Sequence, residues 1–363
     1  MKWVPKYLVA FFLIIFFSGP IFCQLAVSSS FSTLESFGSA RLLALGSSAA
    51  AHPADISFSA LNPACLNSSH INQWSITSQN RIGGIYQGSL TIGLPGNLFK
   101  NKFSKRKKPL NAQRGGLDFT PNRVFLSFGA DYLSSGQLEQ RDANGNLLGL
   151  FYASEVTPRL AFSLDYGKLS LGFGAKLPII SYGVFTSQAI AADFGMLWST
   201  DSSRKQIAFV LRNVGRNFEY FSLQRERLPL NLQISFSQKL QHAPFRLNIT
   251  YENIQNWNLQ YLDPQLMVID PLTGTITYEK LPWYNNFFRH ISSSVEAQLG
   301  GRLFLQLGYD FRRQMENRIT SRRVSAGVST GVTFKAGKME FQFGSSLYNI
   351  AGRVNQFSLI RSF

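Results

Sequence analysis

Segments in which apolar and polar residues alternate with a period of two recur along most of this chain. In residues 231–240 the apolar side chains Leu232, Ile234 and Phe236 occupy even positions, while polar side chains fill the odd ones. Because successive side chains of a strand point to opposite faces, each such segment has one apolar and one polar face. Many such strands without intervening helices need either a sandwich core or a lipid bilayer to cover their apolar faces.

The alternation predicts about fourteen strands, an even number, as single-chain outer-membrane barrels have. We expect them near residues 72–80, 84–94, 122–141, 147–166, 168–182, 188–200, 204–213, 229–241, 244–253, 291–300, 302–313, 321–335, 337–348 and 354–363. From the third strand onward, tight turns alternate with longer connections. This rhythm is typical of a barrel with short periplasmic turns and long outer loops, whereas a sandwich has no reason for it. We therefore predict an all-β fold, a transmembrane antiparallel β-barrel over residues 71–363.

The first 23 residues have the features of a secretory signal peptide. Lys2 and Lys6 precede an apolar stretch that is short for a membrane span. Cleavage after Cys23 is expected, and acylation of Cys23 as in a lipoprotein is the alternative. If Cys23 is removed, Cys65 is the only thiol of the mature chain, which excludes an internal disulfide.

Residues 24–70 are predicted to form a lead and a small plug. The segment 37–69 is dense in Gly, Ala and Ser and lacks a period of two. A barrel of this width is too large for its own side chains to fill. We expect the segment to pack inside the lumen, and a flexible periplasmic lead is the alternative.

The composition points to anionic partners. The formal net charge is +16, and only 15% of residues are charged, below the usual quarter or so. Lipid head groups, lipopolysaccharide or an acidic protein surface suit such a chain, and no nucleic-acid partner is expected for an exported barrel. The basic segment 100–114 is expected to be either a solvated loop or a docking site for an anionic partner.

No residues with the spacing of a catalytic, cofactor-binding or metal site stand out. The four histidines are scattered, and carboxylates such as Glu252 and Asp310 occur singly on polar strand faces. Nothing in the sequence supplies a base for Cys65, so a buried structural thiol is expected. We predict that the protein is not an enzyme and carries no cofactor.

Aromatic residues gather in two kinds of place. Those near predicted strand ends suit interfacial girdles of a barrel, and they are Trp74, Tyr132, Trp198, Tyr251, Tyr309 and Tyr348. A second group lies in the long connection 253–290 and comprises Trp257, Tyr261, Trp283, Tyr284, Phe287 and Phe288. We predict that this second group contacts a protein partner. The alternative is that the loop folds back and buries these rings over the barrel mouth.

The last strand ends on an aromatic residue. Phe363 shares a predicted strand face with Leu359 and Phe357. A terminal aromatic residue with apolar residues at two-residue spacing resembles the signal read by the outer-membrane assembly machinery, although Arg361 departs from that pattern. We predict that Phe363 serves as an assembly signal.

Several stretches resemble a family of known barrels. Residues 39–66 (SARLLALGSSAAAHPADISFSALNPACL) are similar to the N-terminal region of FadL-like and PorV-like barrels, and they include Asn62, Pro63 and Ala64 as the plug motif. Residues 191–198, 207–215, 228–257, 287–299 and 305–313 resemble the PorQ-like barrels of type IX secretion more closely. The basic segment 100–114 has no counterpart in that pattern.

The resemblance implies a fourteen-stranded barrel in the outer membrane and a non-enzymatic part in the type IX cell-surface attachment complex. It implies PorV-like, PorU-like and PorZ-like proteins as partners, beside outer-membrane lipid and lipopolysaccharide. We therefore predict a scaffold of that complex. The alternative function is a FadL-like transporter of hydrophobic small molecules, which requires an apolar path through the plug and a gap or kink in the wall. A soluble β-sandwich in the periplasm is the third possibility.

Overall fold

The computed structural model describes residues 30–35, 38–46, 48–81, 83–94, 121, 123–200, 204–219, 227–259, 268–269, 276–277, 282–317, 326–349 and 352–363. The predicted signal peptide and the basic segment 100–114 lie outside the described residues. Most of what is described is β-structure. The strands are β1 (Gln73–Asn80), β2 (Tyr86–Leu94), β3 (Arg123–Arg141), β4 (Leu147–Asp165), β5 (Leu169–Lys176), β6 (Ile179–Tyr182), β7 (Phe185–Ser199), β8 (Lys205–Glu219), β9 (Asn231–Lys239), β10 (Phe245–Tyr251), β11 (Val268–Ile269), β12 (Ile276–Thr277), β13 (Ile291–Leu299), β14 (Leu303–Asp310), β15 (Val328–Ala336), β16 (Met339–Asn349) and β17 (Gly352–Ser362).

These strands form a closed antiparallel barrel. β1 pairs with both β2 and β17, and β3 pairs with β4, so the sheet has no free edge. β5 and β6 are two parts of one crossing, since each pairs with β4 and β7, and the wall therefore has 14 strands. β11 and β12 pair only with each other. The predicted fold class and strand positions are confirmed, with boundaries that differ by a few residues at most strands.

The apolar rows face outward and the polar rows face the lumen. In β9, Ile234 is 46% exposed, whereas its neighbours Gln233 and Ser235 are each 1% exposed. A soluble sandwich would show the reverse, because its apolar faces would cover each other. Lipid offers no hydrogen-bond partners, so every backbone N–H and C=O group of a spanning wall must pair within the protein. A closed barrel with an apolar outer surface meets this requirement. The protein is thus a multi-pass β-barrel of the outer membrane, and the sandwich alternative is wrong.

Both described ends of the wall lie at the same rim. β1 begins and β17 ends there, and Phe363 N donates to Asn72 O at 3.0 Å. Five connections at this rim are short, namely 166–168, 200–204, 240–244, 300–302 and 337–338, whereas the sixth, 95–122, is long. We call it the inner rim and the opposite one the outer rim.

The predicted alternation of short and long connections is only partly correct. At the outer rim the connections 220–230, 252–290 and 311–327 are long, but 81–85, 183–184 and 350–351 are short. At the connections 142–146 and 183–184, the residues that extend the chain at this rim belong to the paired strands rather than to the loops. Hydrogen bonding to a neighbouring strand satisfies the backbone groups that a free loop would leave to water.

Short helical elements occur inside the lumen and at the outer rim. Inside the lumen, they are the 3₁₀ turns Ser32–Glu35, Ile56–Ala60, Pro63–Cys65 and Ser68–His70 and the plug helix Ala40–Ala44. The outer rim carries the rim helix Trp283–Arg289 and the second rim helix Phe311–Glu316. Among the described residues, no helix combines the length and apolar character needed to cross a membrane.

The strand predicted at 302–313 ends earlier, at Asp310. The Asp310 side chain accepts a hydrogen bond from Arg313 N at 3.1 Å and caps the second rim helix. Asp at this position favours helix initiation because its carboxylate satisfies an otherwise unpaired N–H group. Alternation alone could not detect the change from strand to helix.

Candidate functional site

The N-terminal segment occupies the lumen. Leu43, Ala49 and Phe58 are each 0% exposed although the plug has little regular structure. Ala40 N donates to the Ser358 hydroxyl of β17 at 2.8 Å, and Ser48 Oγ bonds to Ser294 Oγ of β13 at 2.6 Å. The plug is therefore held to the wall through inward-facing polar side chains, as predicted for a segment rich in small residues.

The motif Asn62-Pro63-Ala64 forms a tight turn against the wall. Asn62 Oδ1 accepts a hydrogen bond from Ala64 N at 3.0 Å, and Asn62 Nδ2 donates to Ala50 O at 2.8 Å. Pro63 stands at the first helical position, where its missing N–H costs nothing. The Asn62 side chain thus holds two backbone segments of the plug together, which is the physical role of the Asn62-Pro63-Ala64 motif.

Two wall glycines make room for that turn. Gly172 of β5 and Gly195 of β7 are direct cross-strand partners. A Cβ added at Gly172 would overlap Ala64 N, and one added at Gly195 would overlap Asn62 Oδ1. The motif and these glycines, more than a hundred residues apart in sequence, form one docking contact.

The plug helix lies on a second patch of wall glycines. A Cβ at Gly308 of β14 would come within 2.6 Å of Ala44 O, and Cβ atoms at Gly331 and Gly344 would overlap Ala44 and Ala40. Gly331 and Gly344 face each other across β15 and β16. The helix backbone consequently approaches the sheet more closely than any side chain would allow.

Arg41 of the plug helix makes a two-pronged ion pair with the wall. Arg41 Nε lies 2.8 Å from Glu296 Oε2, and Arg41 Nη2 lies 2.7 Å from Glu296 Oε1. Arg41 Nη1 is 3.4 Å from Glu340 Oε1, and the guanidinium lies 5.0 Å from the centre of the Phe304 ring. Burial opposes the charge of Arg41, but Glu296 and Glu340 outweigh it and raise its pKa. The planar fork of arginine suits such bidentate contacts.

Asp55 joins the same network. Its Oδ2 accepts from Gln342 Nε2 at 3.0 Å, and its Oδ1 accepts from Ser57 N at 3.0 Å at the start of a 3₁₀ turn. Burial raises the pKa of Asp55, and nearby Glu340 adds to that effect. The carboxylates that surround Arg41 therefore depend on its charge.

The opposite side of the lumen is rich in cations. Arg159 Nε lies 2.9 Å from Asp131 Oδ2, and Lys176 Nζ lies 2.6 Å from Asp193 Oδ2. Arg212 Nη2 donates to Leu34 O of the plug at 3.0 Å. Among the described residues, cavities of about 10 Å³ lie between the plug and these side chains, and each has room for about one water molecule.

The first described turn of the plug docks near the outer rim. Thr33 N donates to Glu155 Oε1 at 3.1 Å, and the Thr33 hydroxyl lies 2.7 Å from that of Thr157. Phe31 and Leu34 form an apolar cluster with Ala189, and Ile180 and Leu228 pack against it. This cluster lies beside the interruption between β5 and β6.

That interruption is a local break in the hydrogen-bond ladder of the wall. Leu177 and Pro178 lie between β5 and β6, because proline cannot donate the hydrogen bond that the sheet requires. Leu177 N donates to Pro158 O at 3.1 Å, and Pro178 O accepts from Ala189 N at 3.1 Å. The register against β4 and β7 is the same on both sides of this point, so the hydrogen-bond ladder is interrupted locally while the wall continues.

A strand pair rises beyond the rest of the outer rim. β3 and β4 have 19 residues each, whereas a tilted membrane strand needs about 9–11 residues. The neighbouring strand β2 stops at Tyr86, opposite Ser134. We call the part that continues past it, residues 137–152, the tongue.

The tongue carries exposed apolar side chains. Leu148 is 62% exposed, Leu150 is 55% exposed and Tyr152 is 63% exposed. They continue the outward-facing series of Val156 and Leu160. At about 3.4 Å per residue and a tilt near 40°, the tongue rises roughly 20 Å above the lipid-facing wall. The tongue residues are not among the predicted contact residues, although two predicted strands of about twice the membrane-crossing length indicate such a surface.

The predicted contact loop is described in part. Tyr261 lies outside the described residues. Trp257 is 55% exposed, Trp283 is 70% exposed and Tyr284 is 53% exposed, while Phe287 and Phe288 are about one-third exposed. Folding back over the barrel mouth, the alternative considered above, is therefore wrong for the described rings. Their contact with a protein partner stays a prediction.

Most of the predicted girdle rings follow the outward series. Trp74, Tyr132, Trp198, Tyr251 and Tyr309 alternate with buried lumen residues. Tyr348 differs, because the guanidinium of Arg313 lies 4.2 Å from its ring centre and Arg313 also bonds to the buried Ser346 hydroxyl. Tyr348 follows Gln342 and Ser346, which are 3% and 0% exposed, at two-residue spacing, so the ordinary alternation of β16 places it on the lumen side.

Phe363 is 68% exposed and continues the outward face of Phe357 and Leu359, as expected. The guanidinium of Arg361 lies 5.8 Å from the Phe363 ring. The cation that departs from the assembly pattern therefore covers the ring of the terminal residue. Recognition of Phe363 by the assembly machinery stays a prediction.

Cys65, His52 and His70 of the plug are buried. Burial raises the pKa of the Cys65 thiol and lowers that of His70 to about 4. His52 is also buried, and its pKa is lowered. Among the described residues, no three His, Cys, Asp or Glu side chains meet in a metal-binding arrangement. That the protein is not an enzyme stays a prediction.

Comparisons with known proteins find similarity in solved structures only. No family model matches the sequence, and no curated protein sequence matches it. The toluene transporter TbuX of Ralstonia pickettii is 10% identical, with a TM-score of 0.48 over 92% of this chain and 100% of that one. The CymD monoaromatic hydrocarbon channel is 12% identical, with a TM-score of 0.49 over 93% and 99% of the two chains.

A further comparison has lower coverage. The toluene transporter TodX of P. putida is 9% identical, with a TM-score of 0.39 over 83% and 92% of the two chains. At such values the likeness carries no information on cargo or partners. The fold and its place in the membrane stand on the described wall itself, which is an outer-membrane β-barrel with its N-terminal segment inside.

Proposed function

We propose that this protein is a non-enzymatic scaffold at the outer membrane that works with its lumen closed. In this proposal the tongue and the outer loops hold surface components in place. The resemblance of residues 191–198, 228–257 and 287–299 to PorQ-like barrels suggests the process, which is attachment of type IX secretion cargo to the cell surface. PorV-like, PorU-like and PorZ-like proteins are the proposed partners.

One observation carries the proposal, namely an apolar surface raised above a filled lumen. Leu148, Leu150 and Tyr152 are more than half exposed, and the 19-residue length of β4 places them above the part of the strand that crosses the membrane. Exposed apolar clusters in water commonly mark protein contacts. Beneath the tongue, the plug leaves cavities of about 10 Å³ near the cation-rich wall, which supports a role for the outer surface rather than for the lumen.

Affinity purification from detergent-solubilised envelopes tests the proposal. The wild type should retain surface-attachment proteins, and the double variant Leu148→Ser/Leu150→Ser should lose them. Gln137→Ala/Glu139→Ala changes polar residues of the same tongue and should retain them. Heat-modifiable migration in gels shows whether each barrel is folded. Equal recovery of the same partners with both double variants would refute the tongue as the contact.

The contact predicted for the long loop has its own test. Replacing residues 260–281 with a short Gly-Ser linker leaves the rim helix in place, because Leu259 N already lies 3.0 Å from Asn286 Oδ1. We expect the partner to be released while the barrel stays folded. Unchanged co-purification would restrict the contact to the tongue.

The second candidate function is passage of hydrophobic small molecules, favoured by the interruption of the hydrogen-bond ladder at Leu177 and Pro178. The apolar cluster of Phe31, Leu34 and Ala189 lies beside that interruption, inside the wall. Movement of the first plug turn would connect the cluster with the lipid. The solved barrels TbuX and CymD are described as a toluene transporter and a monoaromatic hydrocarbon channel, so such a hydrocarbon is a suitable probe.

Uptake measurements separate the two functions. A strain that lacks the protein is complemented with the wild type or with Leu148→Ser/Leu150→Ser, and uptake of labelled toluene and of a labelled fatty acid is followed. A transporter predicts a deficit in the deletion strain that both proteins restore. A scaffold predicts no deficit in uptake, and a surface-attachment defect that only the wild type corrects.

A further inference from the structure

The rim helix Trp283–Arg289 has one aromatic side. Residues four apart share a helix side, which places Trp283 with Phe287 and Tyr284 with Phe288 in one stripe. Trp283 is 70% exposed and Tyr284 is 53% exposed. The ring centres of Trp283 and Phe287 lie 6.4 Å apart, and those of Phe287 and Phe288 lie 5.7 Å apart, so the rings form a continuous surface.

The polar side of this helix faces the protein. Asn286 Oδ1 accepts from Leu259 N at 3.0 Å, and Asn286 Nδ2 donates to Trp257 O. Arg289 is only 6% exposed, and its Nε donates to Asn285 Oδ1 at 3.1 Å. A helix on a water-facing surface has the opposite arrangement, with its apolar side covered and its polar side exposed. The environment outside the aromatic side is therefore expected to be apolar.

The aromatic side continues the lipid-facing wall. The Phe287 ring centre lies 5.7 Å from that of Tyr251 at the end of β10. Phe288 lies 5.5 Å from Phe311, which lies 4.7 Å from Tyr309 of β14. Tyr251 and Tyr309 belong to outward rows whose preceding members, Ile249 and Leu307, are 51% and 54% exposed to the bilayer.

From this geometry we propose that the aromatic side of the rim helix lies in the interfacial zone of the outer leaflet and binds lipid. Trp and Tyr favour this zone because they have apolar rings and polar tips. The helix lies beside β10, β13 and β14 as an amphipathic anchor that fixes the height of this rim. Four rings predicted to contact a protein partner are thereby assigned to lipid, which leaves residues 260–281 and the tongue for protein contacts.

Tryptophan quenching tests the inference. A variant that keeps Trp283 and has Phe at Trp74, Trp198 and Trp257 is reconstituted in phosphatidylcholine vesicles. Phospholipids brominated near the head group should quench Trp283 at least half as strongly as they quench Trp198 in the matching single-Trp variant. Trp198 is a suitable control because it is 42% exposed on the outward face of β7. Efficient quenching of Trp283 by aqueous iodide, without quenching by the brominated lipid, would overturn the inference.

Thiol labelling provides a second route if the tryptophan variants do not fold. Tyr284→Cys and Asn144→Cys place a thiol on the rim helix and at the exposed tip of the tongue, while Cys65 is only 1% exposed. With a charged, water-soluble maleimide, the cysteine at 284 should react at least tenfold more slowly in vesicles than the cysteine at 144. Equal rates in vesicles would contradict burial in lipid. Both measurements use purified protein without a partner, so they are independent of the proposed scaffold function.

Discussion

Replacing Arg41 with Met should release the plug from the barrel wall. Arg41 and Glu296 are 3% and 5% exposed, and the variant would leave Glu296, Glu340 and Asp55 without their shared cation. Breaking one side of a buried ion pair costs about 3–5 kcal/mol, because the remaining charge is buried and unpaired. The Met side chain fills much of the space that Arg41 occupies, so the lost stabilisation of the plug is mainly electrostatic.

The thiol of Cys65 reports the opening of the plug. It is 1% exposed and reacts only when the plug leaves its place. If the labelling rate is proportional to the fraction of molecules with an open plug, a destabilisation of about 3 kcal/mol raises that rate roughly 100-fold. The assay is the reaction of folded, detergent-solubilised protein with a disulfide reagent, followed over time. Trp emission in the same sample shows that the barrel remains folded.

A matched control separates burial from pairing. Arg141 and Glu139 of the tongue also lie 2.7 Å apart, but their side chains are 53% and 54% exposed. Exposed pairs contribute at most about 1 kcal/mol, so Arg141→Met should change the Cys65 rate less than about fivefold. In the double variant Arg41→Met/Glu296→Gln, the Cys65 labelling rate should return part of the way to the wild-type rate. This partial return corresponds to a coupling energy of about 2 kcal/mol between the two residues. An unchanged rate in Arg41→Met would refute this explanation of plug anchoring.

Three further predictions concern the plug contact, the pH dependence and the chain end. Gly195→Val should displace the Asn62 turn and speed Cys65 labelling, whereas Gly149→Val, where nothing lies within 4 Å of the added Cβ, should not; comparable labelling rates would contradict the close contact. Burial lowers the pKa of His70 from 6.5 to about 4. Above pH 6.5 this shift costs no stability, but the free energy of unfolding falls by up to about 3 kcal/mol as the pH falls towards 4. The thermal midpoint of His70→Asn should therefore fall less over this range than that of the wild type, and parallel profiles would contradict this. Phe363→Ala should lower the amount of heat-modifiable barrel in envelopes with little change in thermal midpoint, and normal assembly would show that Phe363 is not the signal.

The barrel could be predicted because its cause is local. Each wall strand alternates between lipid and lumen, and the alternation is legible in segments such as 231–240 without knowledge of the partner strands. The tongue was legible too, since predicted strands 122–141 and 147–166 exceed the length that a membrane needs. Its apolar alternation has the same period as that of the lipid-facing wall, so the pattern alone does not separate the two surfaces.

The internal contacts of the plug depend on distant parts of the chain. Arg41 and Glu296 are 255 positions apart in sequence, and the glycines that receive the Asn62 turn are indistinguishable from other strand glycines until the sheet closes. The interruption of the strand at Leu177 and Pro178 can be expected from proline alone. The rim helix cannot, because in the sequence its aromatic residues form only a cluster within a long connection.

Conductance in planar lipid bilayers tests the central claim, a lipid-embedded barrel closed by its own N-terminal segment, most directly. The wild type should insert and show no steady ion conductance, because the plug fills the lumen. Arg41→Met, or the wild type in a denaturant concentration that exposes Cys65 while the barrel stays folded, should open discrete channels. Large steady channels from the wild type with Cys65 still protected would contradict the account.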